Sequence, residues 1–117
     1  QRKLRVTWMR TVVERLNLTG CEIIEEKVEN LVSPEASVIS ARAFAPLLKT
    51  LTLGARFSTE ETCWLLPKGT SAGQELCGLS QHLRQMFHVK PSITDPAAGI
   101  IVGRGKVEAG HDYGRDR

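Results

Sequence analysis

The 117-residue sequence lacks several features that identify common classes of protein. Its three cysteines are far apart and form no Cys-x-x-Cys pair, so the sequence predicts neither a disulfide framework nor a bound metal. It has no run of about 18 apolar residues, and polar residues follow its basic start, where a signal peptide would be apolar. We therefore expect a cytoplasmic protein without a membrane partner.

The motifs of hydrolases and of nucleotide-binding loops are also missing. The sequence contains no Gly-x-Ser-x-Gly elbow. Gly103 and Gly105 lie within a predicted strand, whereas a phosphate-binding loop needs a strand before it and a helix after it. A Cys–His dyad is the hydrolytic alternative, but neither His82 nor His88 follows a predicted strand.

The residues that are present have the balance of one globular domain. Apolar residues make up 41% and charged residues 25% of the chain, and the formal net charge is +3. The charge is uneven, because residues 1–15 contain Arg2, Lys3 and three further arginines against the single acid Glu14. This segment is interpreted either as a solvated charged helix or as a surface for nucleic acid.

Segments of helical and strand character alternate along the chain. Apolar side chains recur at helical spacing in residues 4–16, 43–55 and 71–84. The predicted strands are residues 21–25, 36–41, 62–66, 85–89 and 99–107. This order predicts an α/β sheet, mostly parallel, with an antiparallel edge at its C-terminal end. We expect one domain over residues 1–108, followed by a flexible polar tail at 109–117.

Candidate site residues follow the predicted strands, because ligands bind beyond the carboxyl ends of parallel strands. Val28 and Glu29 come after the first predicted strand, Arg42 after the second and Lys68 after the third. A carboxylate accepts hydrogen bonds from ribose hydroxyls, and a guanidinium binds a carboxylate or a phosphate. The structural alternatives are a solvated Glu29, a structural ion pair for Arg42 and a simple turn at Lys68.

Seven short sequences in a fixed order carry a resemblance. The most specific is Ser-Ala-Arg-Ala-Phe-Ala-Pro-Leu, which is part of residues 39–47. The others are Arg-Lys at 2–3, Trp-Met-Arg at 8–10, Arg-Leu-Asn-Leu at 15–18, Lys-Val-Glu at 27–29, Leu-Pro-Lys-Gly at 66–69 and Glu-Leu at 75–76. Over residues 2–107 the chain resembles the bacterial small-subunit rRNA guanine-N7 methyltransferases, also called glucose-inhibited division protein B.

The resemblance implies a Rossmann-like class I methyltransferase fold that transfers a methyl group from S-adenosylmethionine to guanine N7 of 16S rRNA in the small ribosomal subunit. It also implies that Val28, Glu29 and Arg42 bind the cofactor. Arg2, Lys3 and Lys68 are predicted to contact RNA phosphates. No catalytic residue is predicted, because guanine N7 presents a lone pair without a proton, so that methyl transfer requires alignment more than a base.

The main departure from the family is that its strands 1 and 2 and its glycine-rich loop have no counterpart here. The first methionine, Met9, lies inside a predicted helix. We therefore expect the C-terminal half of a longer enzyme, inactive alone. The family sheet order, 3-2-1-4-5-7-6, would place the two absent strands between the first two predicted here. A partner chain, direct pairing of strands 3 and 4, or dimerisation would cover the open edge. The alternatives are a basic RNA-binding module and a fragment without function.

Overall fold

The structure is a computed structural model that describes residues 2–32, 34–42 and 44–108. The predicted tail at residues 109–117 lies outside the described residues. The chain divides into two compact units, residues 1–32 and residues 33–117. None of the helices in the described ranges is long and apolar enough to cross a membrane.

The first unit contains helix α1, Arg2–Arg15, close to the predicted bounds. Asn17 ends the helix with φ 57, a left-handed conformation that asparagine tolerates better than most residues, and the Leu18 amide donates back to the Val13 carbonyl at 3.0 Å. The helix buries Val6, whereas Leu4 and Trp8 are 73% and 65% exposed. The predicted apolar stripe of this helix is therefore only partly covered.

The predicted strand at residues 21–25 is wrong, because this segment has no regular secondary structure. It is held to α1 by a hydrogen bond from Arg10 Nη2 to the Ile23 carbonyl at 3.3 Å. Among the described residues of this unit there is no strand beside it, so its backbone has no ladder to join. A single 3-10 turn, Val28–Asn30, follows.

The second unit is built on a four-stranded mixed sheet. Its strands are β1 (Val38–Ser40), β2 (Cys63–Gly69), β3 (Phe87–Pro91) and β4 (Gly99–Arg104), in the order β1-β2-β4-β3. β1 and β2 are parallel, while β4 is antiparallel to both β2 and β3. The predicted antiparallel C-terminal edge is confirmed. The predicted parallel majority is confirmed for the described strands, because β1, β2 and β3 run in one direction and β4 runs against them, although β1 and β2 are the one neighbouring pair among them that is parallel.

Three short helices accompany the sheet. They are α2 (Leu47–Gly54), α3 (Ala72–Cys77) and α4 (Gln81–Arg84). The sequence predicts one helix over residues 71–84, but the chain breaks between α3 and α4. Gly78 is a poor helix former, and Ser80 accepts a hydrogen bond from the Leu83 amide at 3.4 Å, which begins a new helix.

The core lies between one face of the sheet and these helices. Trp64, Leu66 and Ile101 have no exposed surface and pack with Leu51 of α2 and Leu83 of α4. The Trp64 indole also donates to the Gly105 carbonyl at 2.9 Å, so its polar atom is satisfied. This core fixes β1 and β2 side by side, and their parallel carboxyl ends therefore meet at one edge of the sheet.

Candidate functional site

Arg42 lies at the carboxyl edge of the sheet, two residues after the end of β1. The residue is exposed, and its guanidinium makes no hydrogen bond or ion pair within residues 2–32, 34–42 and 44–108. The structural alternative for Arg42, an ion pair inside the fold, thus has no support from the described residues. A charged group in this position is available to an anionic ligand.

Lys68 lies near the end of β2, and its ammonium group contacts the loop that follows β1. Its Nζ donates to the Ala45 carbonyl at 2.8 Å and pairs with Glu75 Oε1 at 3.4 Å. Only 13% of the Lys68 side chain is exposed. The predicted contact between Lys68 and an RNA phosphate would therefore have to replace contacts that the fold already makes.

Glu75 of α3 accepts hydrogen bonds with both carboxylate oxygens. Oε1 accepts from the Leu47 amide at 2.9 Å, and Oε2 accepts from Ser71 Oγ at 2.8 Å. Burial by itself raises the pKa of Glu75, but the hydrogen bonds from Ser71 and from the Leu47 amide, together with the charge of Lys68, lower that pKa below its usual value. Glu75 is therefore ionised at neutral pH.

Lys68 and Glu75 line an open groove of about 590 Å³ at the carboxyl edge, whereas Arg42 is not one of its lining residues. Its lining residues are Phe44, Ala45, Pro46, Lys68, Ser71 and Glu75. Phe44 is 47% exposed and adds an aromatic surface, while Lys68 and Glu75 use their polar atoms on each other and on the loop backbone. The groove is open to solvent, and its polar residues shape it more than they offer free donors.

Val28 and Glu29 lie in the 3-10 turn of the first unit. Val28 is half-buried and Glu29 is exposed. Arg42 and Lys68 belong to the second unit. The hypothesis that Val28, Glu29 and Arg42 form one cofactor site stays a prediction.

Arg2 and Lys3 lie in the first turn of α1 and are exposed. That turn has no acidic residue. Cations at the N-terminal end of a helix oppose the helix dipole, so their position costs stability rather than contributing it. The predicted RNA contacts of Arg2 and Lys3 stay predictions.

Glu75 belongs to the Glu-Leu pair at residues 75–76 that carries part of the resemblance, but the sequence assigned it no role in the site. A usable signal exists, because Ser71 and Glu75 are four residues apart and share one face of a helix. The contact with Leu47 spans 28 residues and has no such local signal. Within the described ranges, no group of three or more His, Cys, Asp or Glu side chains is arranged to hold a metal ion.

Comparison with known proteins gives a consistent result. A family model described as "GidB: rRNA small subunit methyltransferase G" matches residues 1–95. Relatives named "Ribosomal RNA small subunit methyltransferase G" are 50% identical over 107 residues in Erythrobacter litoralis and 51% identical over 113 residues in Novosphingobium aromaticivorans. These matches cover 92% and 94% of this chain but 52% and 49% of the relatives.

A third relative of the same name, from Sphingopyxis alaskensis, is 47% identical over 106 residues, which cover 91% of this chain and 46% of the relative. The chain thus spans about half the length of the curated relatives it matches. Both the family model and these relatives extend over the residues that form the groove. The chain belongs to the GidB family of rRNA small subunit methyltransferases.

Proposed function

We propose that the chain is the carboxyl-terminal half of an enzyme that transfers a methyl group from S-adenosylmethionine to guanine N7 of 16S rRNA. The observation that carries the proposal is the 50% identity over 107 residues to a protein named for methylation of small-subunit ribosomal RNA. Because bacterial ribosomal RNA is modified where ribosomes assemble, we place this function in the cytoplasm.

The strand order supports a Rossmann-like class I fold in which strands 1 and 2 lie outside this chain. The observed order β1-β2-β4-β3 corresponds to strands 4-5-7-6 of the family sheet. In the family order strand 3 pairs only with strand 2, which agrees with the irregular backbone of residues 21–25. A partner segment or chain would then add strands to the free edge of β1.

Arg42, Glu29 and Val28 are our proposed cofactor residues. Arg42 fits the role because it is exposed at the carboxyl edge of two parallel strands and has no protein partner within the described ranges. Its guanidinium can bind the carboxylate of an amino-acid moiety, and the exposed Glu29 carboxylate can accept from ribose hydroxyls. When bound, S-adenosylmethionine supplies an electrophilic methyl group on a sulfonium. The role of the protein residues is to hold the cofactor and to orient its methyl group toward guanine N7, since N7 needs no deprotonation.

Methyl transfer by a reconstituted enzyme tests the proposal. The chain is mixed with the part of the Erythrobacter litoralis relative that it does not cover, and transfer of labelled methyl from S-adenosylmethionine to unmethylated small ribosomal subunits is measured. We expect transfer to guanine N7 by the mixture and none by the 117-residue chain alone. A stable mixed complex without transfer would refute the proposal.

Arg42→Ala, compared with Arg104→Ala, tests the assigned cofactor residue in the same mixture. Arg104 is a 66%-exposed cation at the end of β4, so its removal changes the net charge equally. A hydrogen-bonded charge pair contributes about 1.5–3 kcal/mol, which predicts a roughly 10- to 150-fold weaker affinity for S-adenosylmethionine in the Arg42→Ala variant and no loss in the Arg104→Ala variant. Equal affinities in both variants would remove Arg42 from the site.

A second candidate function is RNA binding without methyl transfer. The observation that favours it is the exposed cationic first turn of α1, which contains Arg2, Lys3 and Arg5 and no acid. RNA affinity of the chain alone that falls steeply with salt would support this function, because each neutralised phosphate releases counterions. In this second function Lys68 also contacts RNA, and a phosphate replaces Glu75 as its anionic partner.

A further inference from the structure

We propose that Lys68 and Glu75 are positioning residues that hold the loop carrying Arg42 at the carboxyl edge of the sheet. This inference rests on the proposed role of Arg42 in cofactor binding. The ion pair and its two backbone contacts are called the Lys68–Glu75 clamp. It joins the end of β2 and helix α3 to the loop between β1 and α2.

Glu75 supplies a cap that α2 does not have in its own sequence. Pro46 is the N-cap residue of α2 and makes no side-chain cap hydrogen bond, and the first turn of α2 has no acidic residue. The Glu75 carboxylate accepts from the Leu47 amide, the first amide of the helix, at 2.9 Å. An anion at this end of a helix is favoured by the unpaired amides and by the helix dipole.

Lys68 holds the backbone on the other side of Pro46. Its Nζ donates to the Ala45 carbonyl at 2.8 Å. The carbonyl before Pro46 and the amide after it are therefore both bound by one ion pair. Proline restricts the backbone between them, since its ring fixes φ, here −55°. These contacts, together with the Thr50 hydroxyl, which donates to the Ala45 and Pro46 carbonyls at 3.1 Å, set the direction of the chain on entering α2.

Arg42 lies between two fixed points of the backbone. β1 ends at Ser40, where it pairs with Leu65 of β2, and the clamp holds Ala45. With both ends fixed, the backbone at Arg42 has fewer conformations than it would have in a loop held at one end only. A preorganised group binds its ligand more tightly than a mobile one, because less entropy is lost on binding.

The burial of the clamp favours positioning over direct ligand contact. The side chains of Lys68 and Glu75 are 13% and 26% exposed. Both oxygens of Glu75 have protein partners, which include Ser71 of its own helical turn. Among the described contacts, Lys68 and Glu75 bind the loop backbone and each other, and neither binds Arg42 directly. Their effect on the cofactor is transmitted by the loop.

The first test measures the loop itself, with Glu75→Ala and its matched control Glu61→Ala. Glu61 also pairs with a cation, Arg104 at 3.8 Å, but is 89% exposed. Hydrogen exchange of the Leu47 amide and the rate of trypsin cleavage after Arg42 are followed in the chain and in the reconstituted complex. We expect both rates to rise about 10-fold or more in Glu75→Ala and to change less than about 2-fold in Glu61→Ala. Equal rates in the two variants would overturn the clamp.

A milder variant and a charge exchange separate the backbone contacts from the ion pair. Glu75→Gln keeps an acceptor for the Leu47 amide and should give intermediate rates, which preserves the test if Glu75→Ala does not fold. The double variant Lys68→Glu/Glu75→Lys keeps an ion pair but turns an ammonium toward the Leu47 amide and a carboxylate toward the Ala45 carbonyl. We expect no rescue by this exchange. Full rescue would show that only the ion pair matters and would refute our inference.

Cofactor affinity and turnover in the reconstituted complex complete the test. We expect Glu75→Ala to weaken S-adenosylmethionine binding about 10-fold while kcat at saturating cofactor changes less than about 2-fold. The reason is that the residue affects cofactor binding and not the methyl-transfer step. If the wild-type complex binds no S-adenosylmethionine, the proposed function fails. The hydrogen-exchange and trypsin measurements still test whether the Lys68–Glu75 clamp holds the loop. If wild type binds it and Glu75→Ala frees the loop without weakening binding, the positioning role fails and the proposed function stands.

Discussion

Replacing Thr62 by valine removes two short hydrogen bonds from a residue with no exposed surface. Thr62 Oγ1 donates to the Ala36 carbonyl at 2.6 Å and accepts from the Thr59 amide at 2.7 Å. These bonds join the turn before β2 to the segment that leads into β1, beside the hydrogen bond from the Cys63 amide to the Ser37 carbonyl at 2.8 Å. Valine has nearly the same shape, so the substitution changes polarity with little effect on packing.

The two lost hydrogen bonds set the expected loss of stability. A net contribution of about 1 kcal/mol for each of the two hydrogen bonds, plus up to about 2 kcal/mol for the half-buried Thr59 amide left without an acceptor, predicts that Thr62→Val lowers the free energy of unfolding by about 2–4 kcal/mol. For a domain of this size the loss corresponds to a melting temperature lower by roughly 10 °C. Because Thr62 supports the entry to β1, we also expect faster trypsin cleavage after Arg42.

Urea unfolding followed by tryptophan fluorescence measures the effect, since Trp64 is fully buried in the second unit. Thr52→Val is the matched control: Thr52 is an exposed residue of α2 whose hydroxyl donates to the Leu48 carbonyl at 2.8 Å. The control should stay within about 0.5 kcal/mol of wild type. A similarly small change in Thr62→Val, or a loss as large in Thr52→Val, would refute the reasoning.

Three further predictions concern glycine, pH and RNA. Gly103→Ala should destabilise the fold by about 2 kcal/mol or more in the same urea assay, because the new Cβ would lie 2.6 Å from the Met86 carbonyl oxygen. The control is Gly73→Ala in α3, whose Cβ meets nothing within 4 Å, so that this variant should be neutral or stabilising. The lowered pKa of Glu75 means that its charge stabilises the fold above the ordinary value of 4.5, and that this contribution is lost as the pH falls through the lowered pKa. Glu75→Gln should make the free energy of unfolding, measured with urea, less dependent on pH in that acidic range. An unchanged pH dependence would contradict the lowered pKa of Glu75. Arg2→Ala/Lys3→Ala should reduce the salt dependence of RNA affinity by about 0.7 per lost phosphate contact, as measured by titration at several salt concentrations, and an unchanged slope would exclude both residues.

Local pattern was enough to locate most helices and strands. The helix of residues 2–15 and the four strands of the second unit lie close to their predicted places, because side-chain period and strand composition are properties of a short stretch. The prediction failed at residues 21–25, where a suitable apolar stretch has no neighbouring strand among the described residues of its unit. It also failed at Gly78, where a weak helix former and the Ser80 cap divide one expected helix into α3 and α4.

The positions of candidate site residues along the chain were predictable, but their partners in the fold were not. Arg42 follows β1 as predicted, whereas Lys68, which the sequence placed after a strand at residues 62–66, lies inside β2, because that strand continues to Gly69. The rule that ligands bind beyond strand ends needs no knowledge of strand order. The partners of Lys68 were not predictable, because Ala45 is 23 residues away and Glu75 lies in a helix that only packing brings to the loop.

The sequence by itself determined the family, most of the helical and strand segments and the place of Arg42 after a strand, since each of these depends on residues that are neighbours in the chain. Only the tertiary structure decided that β1 and β2 are parallel neighbours and that Glu75 accepts from the Leu47 amide across 28 residues. It also decided that the Lys68 ammonium is bound inside the fold while Arg42 is exposed. The physical reason is that hydrogen bonds and burial between distant segments depend on strand pairing and packing, which local side-chain pattern does not specify.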